Sequence, residues 1–201
     1  LNVTVLSFTR LYDEVGRNIG GIAGTVLGEA DKVIFMSKAL NSIKNELKLW
    51  HKYVGSVSFA KTILDTIGEF KINAYTSDDL LEAANSVDNS SLSTKLKELF
   101  LIYRQYDLLV GEKFIDPADS LTKLYHSLGN YSFFNNKTVF IDSFKGFTGQ
   151  QFKIIERIIS QAENVYIALT DDSEIKKPYS IYTNIRMAAD KITRYALSCS
   201  K

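Results

Sequence analysis

From Ala30 to Asp119 the chain carries apolar residues at steps of three and four with no strand signal among them, and both flanks carry strand-type patterns. A continuous helical block held between extended segments restricts the chain to an α/β fold with an all-helical insertion. Within the block, Val33, Ile34, Met36, Leu40, Ile43, Leu47 and Trp50 predict one long helix ending near Tyr53, and Gly55-Ser56 breaks it. Phe59, Ile63, Ile67 and Phe70 form the stripe of a second helix from Ser58 to Ile72. Thr76 or Ser77 caps a third helix, which places Asp78 and Asp79 at the positive end of its dipole. Leu92, Leu96, Leu99, Ile102, Tyr103, Tyr106 and Leu109 mark a fourth, and Pro117 suits the first turn of a fifth that reaches Leu128.

The flanks read differently. Asn2 to Ser7 is β-branched, with a buried-strand pattern, and a short amphipathic helix follows from Leu11 to Ile19. Gly20-Gly21 ends that helix and opens a mobile loop to Glu29. Beyond the block, Val139 to Ile141 predicts a strand and Gln150 to Gln161 a helix, with Phe152, Ile155, Ile158 and Ile159 inward. Asn164 to Leu169 predicts another strand, Thr170 to Ser173 a turn, Pro178 a loop, and Tyr182 to Leu197 a closing helix. The expectation is one parallel sheet built from three strands, in a domain of residues 1–29 and 130–201, interrupted by a helical subdomain of residues 30–129.

Composition narrows the classes without choosing among them. A hydrophobic fraction of 45% with 23% charged residues is that of a globular protein, and a net charge of +1 carries no signature for or against a nucleic-acid partner. The single cysteine, Cys199, rules out an internal disulfide and suits a reducing cytoplasm. No apolar run is long enough to span a bilayer, so no membrane partner is expected. The chain opens inside a strand pattern without an initiator Met and stops after a helical one, as expected of a piece of a longer protein.

Chemistry concentrates at strand ends, where α/β folds place their ligands. In Val139-Phe140-Ile141-Asp142-Ser143-Phe144-Lys145-Gly146-Phe147-Thr148-Gly149-Gln150-Gln151, an apolar run stops at an aspartate and a two-glycine loop leads into a helix. Asp142 reads either as a nucleotide or Mg²⁺ contact or as a turn former capping its loop. Phe144 and Phe147 read as packing residues, and Gln150 and Gln151 can simply open the helix. Phe8, Thr9 and Arg10 offer a ring, a hydroxyl and a guanidinium, which suit stacking on an unpaired base and phosphate contact. The competing reading puts Phe8 in the core and pairs Arg10 with Asp13 or Glu14. His51 and His126 read as ordinary histidines, and the lysines at 38, 44, 48 and 52 as one solvated helix face. No metal site and no catalytic residue are expected.

The order of strand end, helical insertion, strand end and strand end resembles the first RecA-like domain of superfamily 1 helicases. Closer wording is V-L-S-F-T-R-L from Val5, I-x-E-F-K from Ile67 to Lys71, K-L-x-E-L-x-x-I-Y from Lys95 to Tyr103, and I-D-S-F-K-G-F-T-G-Q-Q from Ile141. In these the chain is similar to AddB (RexB in some lineages), the B subunits of bacterial AddAB-type ATP-dependent helicase–nucleases. The resemblance covers nearly the whole chain. It implies a partial RecA-like fold and a role in double-strand break repair. It also implies a single DNA strand held in a channel lined by Phe8, Thr9 and Arg10, and an AddA-like partner subunit. Asp142 falls at the Walker B aspartate, with Gln150 and Gln151 facing the nucleotide, but Ser143 stands where an active motor has the water-positioning glutamate. The G-x-x-x-x-G-K-[ST] phosphate loop does not occur in these 201 residues. The resemblance therefore assigns ATP, Mg²⁺ and an iron–sulfur cluster only to a longer parent and leaves none of them to this stretch. It implies a catalytically inactive, helicase-like DNA-binding scaffold. A helical module docking a partner subunit with little DNA contact is the alternative. A free-standing phosphotransfer enzyme using Asp142 and Asp171 fits worst.

Overall fold

The computed structural model describes residues 3–20, 24–111, 113–171 and 182–199. The fold is α/β, mostly helical with two small parallel sheets. It comprises two compact units, residues 22–120 and residues 1–21 with 121–201.

In the unit of residues 22–120, β1 (Thr25–Val26) pairs in parallel with β2 (Phe114–Ile115) and so joins the two ends of the unit. Two residues per strand are too few for periodicity to reveal, and the segment predicted as a loop to Glu29 thus contains a strand. Gly24 makes the approach possible: its φ is +146°, and a Cβ there would stand 2.7 Å from Ile115 Cγ1. Between the strands run α2 (Glu29–Ser42), α3 (Val57–Ile72), α4 (Ser77–Ser86) and α5 (Ser90–Val110). Thr76 and Asp79 form the capping box that opens α4, and Asn89 caps α5. Met36, Leu40, Ile63, Ile67, Ile102 and Tyr106 lie at the centre of the core.

The predicted long helix from Ala30 to Tyr53 does not form. α2 stops at Ser42, and short 3₁₀ turns follow at Lys44–Glu46 and His51–Tyr53. The cause lies on α5. The carboxylate of Glu98, only 3% exposed, accepts the amide hydrogens of Lys48 (2.7 Å), Leu49 (2.8 Å) and Trp50 (3.2 Å). Those amides would otherwise bond back along a helix. Met36, Leu40, Ile43 and Leu47 of the predicted stripe are buried, whereas Ile34 is exposed, so the periodicity found most of the inward residues but not their backbone conformation. Lys38, Lys44, Lys48 and Lys52 consequently share no single helix face.

A buried ionic cluster fixes the return of the chain. Lys71 of α3, 3% exposed, reaches Asp119 at 2.6 Å, Asp107 at 3.0 Å and Asp116 at 3.5 Å. Its ammonium also lies 5.3 and 5.6 Å from the ring centres of Tyr106 and Tyr103. Tyr106 donates its hydroxyl to Asp116, which also accepts from the Ala118 amide and so opens the 3₁₀ turn Pro117–Asp119. Burial alone would lower the Lys71 ammonium. Asp119, Asp107 and Asp116 outweigh it and hold the group above the usual lysine range.

The other unit contains α1 (Phe8–Asn18), α6 (Ser120–Asn130), β3 (Thr138–Phe144), α7 (Gly149–Gln161), β4 (Asn164–Leu169) and α8 (Thr183–Cys199). β3 and β4 pair in parallel, Thr138 opposite Asn164 through Ile141 opposite Ile167, with a bulge before Phe144 meets Leu169. Residues 3–7 form no strand: Val3 and Val5 are 72% and 84% exposed, and no ladder partner lies beside them among the described residues. β-branching favours an extended backbone, but a strand also needs a neighbour to bond. The core of Leu11, Val15, Leu124, Leu128, Ile154 and Ile155 packs the helices on the side where Ile141 is buried. α7 turns Ile154, Ile155 and Ile158 inward, whereas Phe152 and Ile159 are half-buried. Gly21, Asp172, Ser173 and Pro178, read as helix end, turn and loop, lie outside the described residues.

Candidate nucleic-acid interface

Phe8, Thr9 and Arg10 form the first turn of α1, where a loop had been expected. Ser7 supplies the reason: its extended backbone and its hydroxyl, which accepts from the Arg10 amide at 3.2 Å, start the helix three residues earlier. Thr9 and Arg10 are exposed. Arg10 takes part in none of the ion pairs among the described residues, and the first turn holds no acidic side chain. The positive end of α1 and the guanidinium therefore face solvent together. Phe8 is half-buried, edge-on to Phe144 with ring centres 5.5 Å apart. Phe144 in turn meets Phe147 at 5.1 Å, and Phe147 meets Phe152 at 5.7 Å. This row of rings brings the α1 terminus to the end of β3, so two stretches far apart in sequence meet in one unit.

Asp142 stands exposed in the bulge, and its Oδ1 accepts from the Ser143 amide at 2.6 Å. Ser143 has φ +68°, a left-handed conformation that glycine adopts more readily. The two glutamines do local work. Gln150, 4% exposed, donates its amide to Thr122 Oγ1 at 2.9 Å. Gln151 closes a capping box with Thr148: its Oε1 accepts from the Thr148 amide at 2.9 Å, and Thr148 Oγ1 accepts from the Gln151 amide at 3.3 Å. The spacing T-x-x-Q carried that signal in the sequence. Asp142 is the one carboxylate of its loop, and no group of three or more His, Cys, Asp or Glu that could hold a metal occurs among the described residues.

Periodicity had no means of finding Glu98, Lys71 or the carboxylates around it, because each looks like a surface charge on its own helix. His51 and His126 are exposed. No helix among the described residues is long and apolar enough to cross a membrane.

Comparison with known proteins agrees with the wording of the motifs. The model of the ADDB N-terminal family matches residues 1–199. Among curated relatives, the B subunit of the ATP-dependent helicase/deoxyribonuclease of Thermoanaerobacter sp. (strain X514) is 33% identical over 86% of this chain and 15% of its own length. The protein of the same name from Ruminiclostridium cellulolyticum is 30% identical over 100% of this chain and 17% of its own length. That from Clostridioides difficile is 29% identical over 96% of this chain and 17% of its own length. The chain thus spans about one-sixth of the length of the relatives it matches. With the family model matched over almost every residue, the chain belongs to the AddB N-terminal family.

Proposed function

We propose that this chain is the helicase-like N-terminal region of an AddB-type subunit, acting as a catalytically inactive DNA-binding scaffold in double-strand break repair and recombination. In this reading residues 1–29 and 130–201 are part of a RecA-like domain and residues 30–129 its helical insertion. The subunit works in the cytoplasm beside an AddA-like helicase–nuclease partner. ATP, Mg²⁺ and an iron–sulfur cluster belong to the longer assembly. Ser143 at the place of a water-positioning glutamate supports a scaffold rather than a motor.

The observation that carries the reading is the first turn of α1, which presents Thr9, Arg10 and the helix dipole to solvent beside Phe8, with no acidic side chain among them. Anisotropy of a labelled single-stranded oligo(dT) should show salt-dependent binding by the 201-residue chain. Arg10→Gln should weaken that binding and flatten the salt slope by about 0.7, the loss of one phosphate contact on a single strand. Equal slopes for the two proteins would remove the interface. In a second reading the helical unit, on which Ile34 and Leu108 are 52% and 66% exposed, docks a partner protein with little DNA contact. That reading predicts no oligonucleotide binding by either protein.

A further inference from the structure

A second cationic surface lies on the unit that carries α1, on α6 and α7. α6 and α7 pack side by side, tied at one end by Gln150 to Thr122 and at the other by Gln161, whose amide donates to the Leu128 carbonyl. Between these ties, Arg157 of α7 lays its guanidinium over the ring of Tyr125, 4.3 Å from its centre. Lys153, one turn earlier on α7, sits over the same ring at 5.7 Å. Gly129 makes room for the stack, since a Cβ there would stand 3.2 Å from Arg157 Nη2. The exposed ring of His126 borders Tyr125 at 5.5 Å.

Two cations at i and i+4 repel, and helices ordinarily relieve such a pair with a carboxylate. None does so here: neither Lys153 nor Arg157 takes part in an ion pair among the described residues, and neither does Glu156 between them. Arg157 Nε is moreover buried without a hydrogen-bond partner. Stacking fixes the plane of the guanidinium, and a guanidinium held in one plane suits a planar or tetrahedral oxyanion, which arginine binds in two-pronged fashion. Lys153 adds a point charge about 6 Å along the helix axis.

We infer that Tyr125, Lys153 and Arg157 form a second seat for the sugar–phosphate backbone of a nucleic acid strand, with Arg157 gripping one phosphate and Lys153 its neighbour. This rests on the nucleic-acid reading of the chain but not on the α1 contacts. An acidic protein segment would meet the same charges. The stacked guanidinium and its one-turn spacing from a second cation favour a regular row of phosphates.

The test uses the 201-residue chain, labelled oligo(dT), and three variants: Lys153→Gln, the double variant Lys153→Gln/Arg157→Gln, and Arg10→Gln, each checked by circular dichroism. The double variant should bind several-fold more weakly at low salt, with the salt slope reduced by about 1.4 for two lost contacts, and Lys153→Gln alone by about 0.7. Arg10→Gln should lose its own increment independently. Unchanged slopes in Lys153→Gln and the double variant, with a loss in Arg10→Gln, overturn this inference alone. The converse pattern overturns the α1 interface alone, and an unmodified chain that fails to bind overturns both. Equally tight binding of labelled poly-glutamate would also overturn it, because the surface would then be a seat for acidic peptides.

Discussion

Replacing Lys71 by methionine keeps most of the side-chain volume and removes one buried charge. Three carboxylates then face one another around an apolar group, where Lys71 had stood within 2.6, 3.0 and 3.5 Å of them. Removing one partner from a wholly buried ion pair costs about 3–5 kcal/mol. The lower end applies here, because the side chains of Asp107 and Asp119 are 45% and 26% exposed and can draw on water, while only Asp116 is fully enclosed. A loss of about 3 kcal/mol corresponds to a melting temperature lower by about 12–24 °C for a unit of roughly 100 residues. The single tryptophan, Trp50, packs with Phe59 in the same unit, so urea unfolding followed by its fluorescence reads this unit directly. The pH dependence follows from the direction of the shift. The Lys71 ammonium is raised, so its contribution is complete below the usual lysine pKa and is lost only as pH climbs through the higher folded value. The deficit of the variant should therefore hold through neutral pH and shrink in acid, as the abandoned carboxylates take up protons. A loss under about 1 kcal/mol at pH 7, or a deficit that grows in acid, would refute the cluster as the clamp of this unit.

Asp107→Asn probes the same cluster from the other side. Burial, partly offset by Lys71, holds the Asp107 carboxyl above its ordinary range, so its ionised form is disfavoured on folding and stability falls as pH rises through that value. The variant should melt at or slightly above the unmodified chain at pH 7, with the difference vanishing near pH 3; a clear loss at pH 7 would contradict this. Glu98→Gln keeps the shape but weakens three charge-assisted bonds to the amides of Lys48, Leu49 and Trp50, at a cost of about 2 kcal/mol. Hydrogen exchange at those three amides should accelerate more than at the centre of α5, and uniform exchange would count against it. Ser143→Gly relieves about 1–2 kcal/mol of left-handed strain at φ +68°. Against this stands the extra freedom of glycine in the unfolded chain, about 0.5–1 kcal/mol, so a small rise in melting temperature is expected and a fall would deny the strain.

Apolar spacing and cap residues determined much of the buried core, the places of α3, α4, α5, α6, α7 and α8, and where β3 and β4 run. These are local matters: a stripe at 3.6-residue steps or a T-x-x-Q cap is encoded within one turn of the element it creates. Family wording in the sequence likewise brought Phe8 to Arg10 and Asp142 to notice before any geometry was known. Tertiary structure decided what depends on partners distant in the chain. Glu98, about fifty residues away, took the amides that would have extended α2. A two-residue pairing of β1 with β2 joined the ends of the helical unit, and residues 3–7 have no ladder partner among the described residues. Lys71, Asp107, Asp116 and Asp119 became one cluster, and Lys153 and Arg157 met Tyr125, only through helix packing. A charge in sequence looks solvated until the fold supplies what surrounds it. For that reason the apolar pattern was legible from the chain alone, whereas the working arrangement of its polar groups was not.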